Sequence, residues 1–123
     1  MGFTAASMLA RVESLEKLSY AKVTRLRLGD GQRKVEVEIP DRVLAEAGLT
    51  PGEGDLLEVE VRKELGDTRD WDIVMRGEVY LKRSNPPRVY VSLWGLQLVL
   101  EDPEALKNFD IGDKLYLFIR AKK

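Results

Sequence analysis

Alternation with a period of two is what most constrains this chain. Val89, Val91 and Leu93 alternate with Tyr90, Ser92 and Trp94, and Leu96, Leu98 and Leu100 resume the pattern beyond Gly95. Such spacing places successive side chains on opposite faces and defines strand, not helix. Just upstream, Val79 and Leu81 alternate with charged or tyrosine neighbours before a Ser84-Asn85-Pro86-Pro87 break. Three strands in a row are expected from Arg76 to Glu101, with Gly95 marking a bulge or sharp bend within a continuing sheet.

The same period recurs through most of the sequence. Thr24, Leu26 and Leu28 alternate with Arg25 and Arg27, and Gly29-Asp30-Gly31-Gln32 supplies residues that tolerate positive φ in a hairpin. On the return strand Val35, Val37 and Ile39 face one way, with Lys34, Glu36 and Glu38 the other, so opposite charges face Arg25 and Arg27 across the pair. Pro40 ends that strand, and Asp41 to Gly48 reads as a capped helical turn. Leu57, Val59 and Val61 form a further strand after a Thr50 to Asp55 connection. Glu64 to Asp72 reads as an exposed acidic loop. Asp102-Pro103-Glu104 starts a second helical turn, and Leu115, Leu117 and Ile119 make the last strand.

Residues 5–18 are the ambiguous part, because Met8, Leu9, Val12, Leu15 and Leu18 fall at the spacing of an amphipathic helix. Short strands bent by glycine and joined by hairpins and helical turns predict an all-β, OB-like antiparallel barrel of six to eight strands with one or two helical turns. Residues 1–123 are read as one domain, a length that suits a single core. Leu26, Val35, Val37, Val59, Val79, Val89, Val91, Leu98 and Leu117 are its expected inner face.

Composition narrows the chemistry. The chain has neither cysteine nor histidine, which removes disulfides, thiolate zinc sites, cysteine nucleophiles and the usual general base. Twenty basic against 21 acidic residues leave a net charge of −1, so no global field favours nucleic acid or membrane. Without a long apolar run or leader pattern, a cytoplasmic protein is expected. Side-chain amides are confined to Gln32, Asn85, Gln97 and Asn108, and with abundant Glu, Lys and Arg this is the composition of a heat-adapted protein.

Motifs for catalysis and cofactors do not assemble. Asp67, Asp70 and Asp72 lack the glycine and terminal glutamate of an EF-hand loop, and Gly29-Asp30-Gly31 and Gly52-Glu53-Gly54 lack the lysine and helix start of a phosphate loop. The informative residues are aromatics on the outer face: Tyr80, Tyr90, Trp94, Tyr116 and Phe118. Three readings stand for them: cover for a second small core, anchors for a protein partner, or stacking platforms for single-stranded nucleic acid. For the last, Lys82, Arg83 and Arg88 beside Pro86-Pro87, with Arg25, Arg27 and Arg33, would supply the basic groove.

The order Gly77-Glu78-Val79-Tyr80, then Tyr90-Val91-Ser92-Leu93-Trp94-Gly95-Leu96 and Leu98-Val99-Leu100, then Phe109 to Gly112 and Lys114-Leu115-Tyr116-Leu117-Phe118-Ile119-Arg120, resembles the C-terminal half of subunit 8 of archaeal and eukaryotic RNA polymerases. Lys22-Val23-Thr24-Arg25-Leu26 and Leu56 to Lys63 resemble its first half more loosely, and the likeness runs from Tyr20 to Ala121. It implies an OB-like barrel without catalytic residues or cofactor, a component of a nucleotidyltransferase complex docked at the periphery of the largest subunit. It also implies a strand over residues 8–14. The short Glu64 to Asp72 loop, where eukaryotic members carry a long acidic insertion, looks archaeal. The expected interface is Tyr90, Trp94, Gly95, Leu96, Tyr80 and Tyr116. The alternative is a free-standing OB-type protein that binds single-stranded nucleic acid.

Overall fold

The computed structural model describes residues 4–122. Its elements are β1 (Thr4–Leu18), β2 (Val23–Gly29), β3 (Lys34–Pro40), α1 (Asp41–Ala47), β4 (Leu56–Arg62), β5 (Ile73–Ser84), β6 (Pro87–Leu93), β7 (Leu96–Glu101), α2 (Pro103–Asn108) and β8 (Lys114–Ala121). The eight strands close into an antiparallel barrel in the order β1-β2-β3-β7-β6-β5-β8-β4. This is the expected all-β barrel, at the upper end of the anticipated strand number. No helix among the described residues is long and apolar enough to cross a membrane.

The circuit contains two Greek keys. Strands β1, β2 and β3 form a meander, and the chain crosses through α1 so that β4 lies beside β1; β5, β6, β7, α2 and β8 repeat the same path. The two keys share a detail that fixes each return strand. Gly54, at φ 89°, donates its N–H to the Val12 carbonyl at 2.9 Å while the Val12 N–H donates to the Asp55 carbonyl at 2.8 Å. Gly112, at φ 94°, donates to the Val79 carbonyl at 2.8 Å while the Val79 N–H donates to the Asp113 carbonyl at 2.9 Å. In each turn the aspartate carboxylate accepts the N–H of the residue three before it at 2.8 Å.

Inward-facing residues from all eight strands meet in one core, which includes every residue of the expected inner face. The β2–β3 register also follows the sequence: Arg25 pairs with Glu38 and Arg27 with Glu36, each pair with a 2.8 Å ion contact.

Several expectations are overturned. Residues 5–18 lie in strand β1, where the family resemblance implied a strand over residues 8–14 and the spacing implied a helix. Met8, Ala10 and Val12 are buried in alternation, and a register shift between Val12 and Ser14 then inserts one residue, so the next core-packed leucine is Leu15. The bulge turns a two-residue step into a three-residue one and mimics helical periodicity. Leu9, which the helix reading placed on its apolar face, is exposed. Gly95 is neither bulge nor bend within a strand: Leu93 pairs with Leu96, and Trp94-Gly95 is a two-residue hairpin turn. A second shift between Val79 and Leu81 sets Leu81 opposite outward-facing Tyr90, leaving it only partly buried.

Asp41 is the first residue of α1 and not its cap; its carboxylate accepts the buried Thr24 hydroxyl at 2.7 Å. Asp102 does cap α2, accepting the Glu104 N–H at 3.0 Å. Finally, Phe118 is fully buried although it points outward, because Trp71, from the β4–β5 loop that is otherwise largely exposed as expected, packs edge-on against it at 5.5 Å. Arg62 caps Phe118 at 3.9 Å and Arg120 lies over Trp71 at 4.3 Å. The same two guanidiniums donate to the loop carbonyls of Leu65, Asp67 and Asp70, so the loop is fastened to the barrel.

Candidate functional site: an aromatic hairpin at one end of the barrel

The β6–β7 hairpin gathers most of the expected interface residues. A two-residue turn between paired strands needs positive φ at both positions when it is of type I′, because that twist matches the strands. Trp94 has φ 56° and Gly95 φ 89°. Glycine adopts this region freely, whereas a tryptophan there is strained. Trp94 is 88% exposed, the most exposed large hydrophobic of the described residues, so little packing within the chain offsets the strain.

Two groups flank the turn. On one side the Tyr80 and Tyr90 rings lie 6.3 Å apart, and Gln97 Nε2 donates to the Tyr80 hydroxyl at 2.6 Å. The register irregularity at Tyr80 leaves this residue 46% exposed beside Tyr90. On the other side Arg76 and Lys114 border a shallow groove that Gly77, Glu78, Ser92 and Trp94 complete. Tyr116 pairs with Arg76 across the β5–β8 ladder, so it joins the patch through Arg76 and not through the other tyrosines. Leu96 is partly buried and packs against the core, which makes it the root of the hairpin more than its contact surface.

The equivalent turn of the other Greek key, between β2 and β3, is closed upon itself. Asp30 accepts the N–H groups of Gln32 and Arg33 and pairs with the Arg33 guanidinium at 2.8 Å. Burial pushes the Asp30 carboxyl up, but these hydrogen bonds outweigh it and hold the group below its ordinary range. One hairpin thus satisfies its own polar groups, while the other ends in an unsupported indole.

Most of the basic residues expected to line a phosphate groove are already paired. Arg25 is paired with Glu38 and Glu16, Arg27 with Glu36, Arg88 with Glu101 and Lys82 with Asp110. The hydrogen bond to Glu38 raises the Arg25 pKa, and that to Glu101, followed by Tyr90, raises the Arg88 pKa. Of the arginines and lysines considered for a basic groove, only Arg83 has no carboxylate within ion-pair distance among the described residues. No group of three or more acidic, histidine or cysteine side chains is arranged to hold a metal ion among the described residues.

Two residues that the sequence did not assign to the interface also contribute. Glu38 accepts the Gln97 N–H and Gln97 donates to Tyr80; the available signals were the expected pairing of Glu38 with Arg25 and the rarity of side-chain amides such as Gln97. What fold and surface together define is a closed antiparallel barrel presenting an aromatic hairpin turn. No family model matches the chain, and no curated protein matches it either.

Proposed function

We propose that this chain is a non-catalytic subunit of an archaeal DNA-directed RNA polymerase, the counterpart of subunit 8, acting in DNA-templated transcription in the cytoplasm. It is an assembly module that docks on the periphery of the largest subunit, with nucleic acid contacted at most indirectly. The observation that carries the docking surface is Trp94: a strained, 88% exposed indole at a hairpin tip. Large exposed aromatics of this kind serve as anchors that fill a partner's pocket. The identity of that partner rests on the likeness of the Tyr90 to Leu100 and Lys114 to Arg120 motifs to the polymerase family. Neutralised arginines on the β2–β3 and β6–β7 faces weigh against the single-stranded nucleic-acid reading, because a backbone-tracking groove needs free cations.

Affinity capture of the tagged protein from its native source tests the proposal. Large polymerase subunits are expected in the eluate, and their absence from a folded, well-expressed bait would overturn it. Trp94→Ala is expected to weaken the association by more than about 1 kcal/mol. Unchanged affinity would move the interface away from this hairpin.

A further inference from the structure

The sheet opens beside the hairpin, and a carboxylate fills the gap. Strands β3 and β7 are paired from Lys34↔Glu101 to Val37↔Leu98, and there the ladder stops. The next residue of β7 is Gln97, whose N–H would otherwise meet a backbone carbonyl of β3. Instead it donates to Glu38 Oε1 at 2.8 Å. The other Glu38 oxygen accepts from Arg25 Nη2 at 2.8 Å, and Arg25 also reaches Glu16 at 3.1 Å. From Gln97 the connection continues through its side-chain amide to the Tyr80 hydroxyl at 2.6 Å. Strands β1, β2, β3, β7 and β5 are thereby joined through polar side chains at the level where the hairpin leaves the barrel.

We infer that Glu38 is a positioning residue for the docking hairpin, substituting its carboxylate for a missing ladder acceptor and so fixing Trp94 relative to the barrel. A charge-assisted hydrogen bond to a backbone N–H is stronger than the neutral ladder bond it replaces. Arg25 holds the carboxylate in place, so the acceptor is preorganised and does not have to be ordered on binding. The turn itself adds little restraint: its tip residue is strained and solvated, and the hydrogen bond from the Gly95 N–H to Ser92 Oγ is long at 3.5 Å. Preorganising an anchor in its bound geometry raises affinity by removing that ordering cost.

The inference rests on the docking proposal for its consequence but not for its geometry, and the experiment separates the two. Residue-resolved amide exchange is compared in the isolated wild type, Glu38→Ala and Glu38→Gln. The alanine variant is expected to accelerate exchange of the Gln97 amide by about tenfold, the scale of one hydrogen bond to a charged group, and to accelerate Gly95 and Leu96 with it. Amides of Leu26 and Val91 should be unaffected, and the glutamine variant, which keeps an acceptor oxygen, should recover part of the protection. Unchanged exchange at Gln97, or uniform acceleration in all strands, would overturn the positioning role.

The second arm measures capture of polymerase. Glu38→Ala is expected to weaken it, and to weaken it much less when Trp94 is already alanine. Local loosening without loss of capture, or equal losses in both backgrounds, would overturn the link to docking. A bait that captures no polymerase at all would remove the proposed function while leaving the exchange result to decide the role of Glu38.

Discussion

Trp94 occupies a backbone conformation that its side chain opposes, and the opposition is measurable. Asparagine is among the residues best suited to the first position of a type I′ turn, and Asn-Gly is the pairing most favoured for it. Trp94→Asn is therefore expected to stabilise the isolated protein by about 1 kcal/mol, read as a higher denaturation midpoint, while weakening docking. A midpoint at or below that of the wild type would mean that the turn carries no strain. At this scale the sequence was only half legible. Alternation correctly sent Tyr80, Tyr90, Trp94 and Phe118 away from the barrel core, but outward did not mean exposed for Phe118, which is fully buried. Period two assigns a face and says nothing about what covers that face. Trp71, Arg62 and Arg120 cover Phe118 from a loop and two strands that no spacing rule connects.

Elements show where pattern reading succeeds and where a single inserted residue defeats it. The β2–β3 pairing was readable down to its ion pairs because both strands are regular and joined by a short turn. Strand β1 was misread by spacing because its bulge lies between Val12 and Ser14, and no local residue type announced the inserted position. Strand β5 depends on a different local fit. A Cβ on Gly77 would lie 2.6 Å from both Leu93 Cδ2 and Val91 Cγ1 and 2.9 Å from the Ser92 carbonyl oxygen. Gly77→Ala is accordingly expected to lower stability by about 1–3 kcal/mol by forcing β5 and β6 apart, measured by denaturant unfolding. A neutral effect would show that the two strands can yield.

The β4–β8 ladder, where Glu58 faces Arg120, adds a pH response. The hydrogen bond from Arg120 is the main reason that the Glu58 carboxyl sits below its ordinary range, with Lys122 adding to it. A carboxyl depressed in the folded state contributes stability that is present above its unfolded pKa and is lost as pH falls through its folded one. Stability is thus expected to decline as pH drops from about 5 into the acid range, and the Glu58→Gln variant should decline less steeply. Parallel pH profiles for the two proteins would assign the loss to other carboxylates.

For the whole molecule, the two Greek keys are walls of a single barrel, joined along β3–β7 and β4–β8. Either wall alone leaves its apolar face open to water, and its four strands have no second layer against which to close. Residues 1–66 and 67–123 expressed separately are expected to show no cooperative unfolding, and to regain it when mixed. A cooperative transition in either fragment alone would make the halves independent units. The paired clamps of Gly54-Asp55 on Val12 and Gly112-Asp113 on Val79 have one more consequence. Because the molecule contains the same joint twice, and only one of the two keys carries the exposed indole, each substitution made near the hairpin has a matched control within the same polypeptide. What a change costs the scaffold can be read from the half without the indole, and whatever remains in the other half measures the proposed recognition.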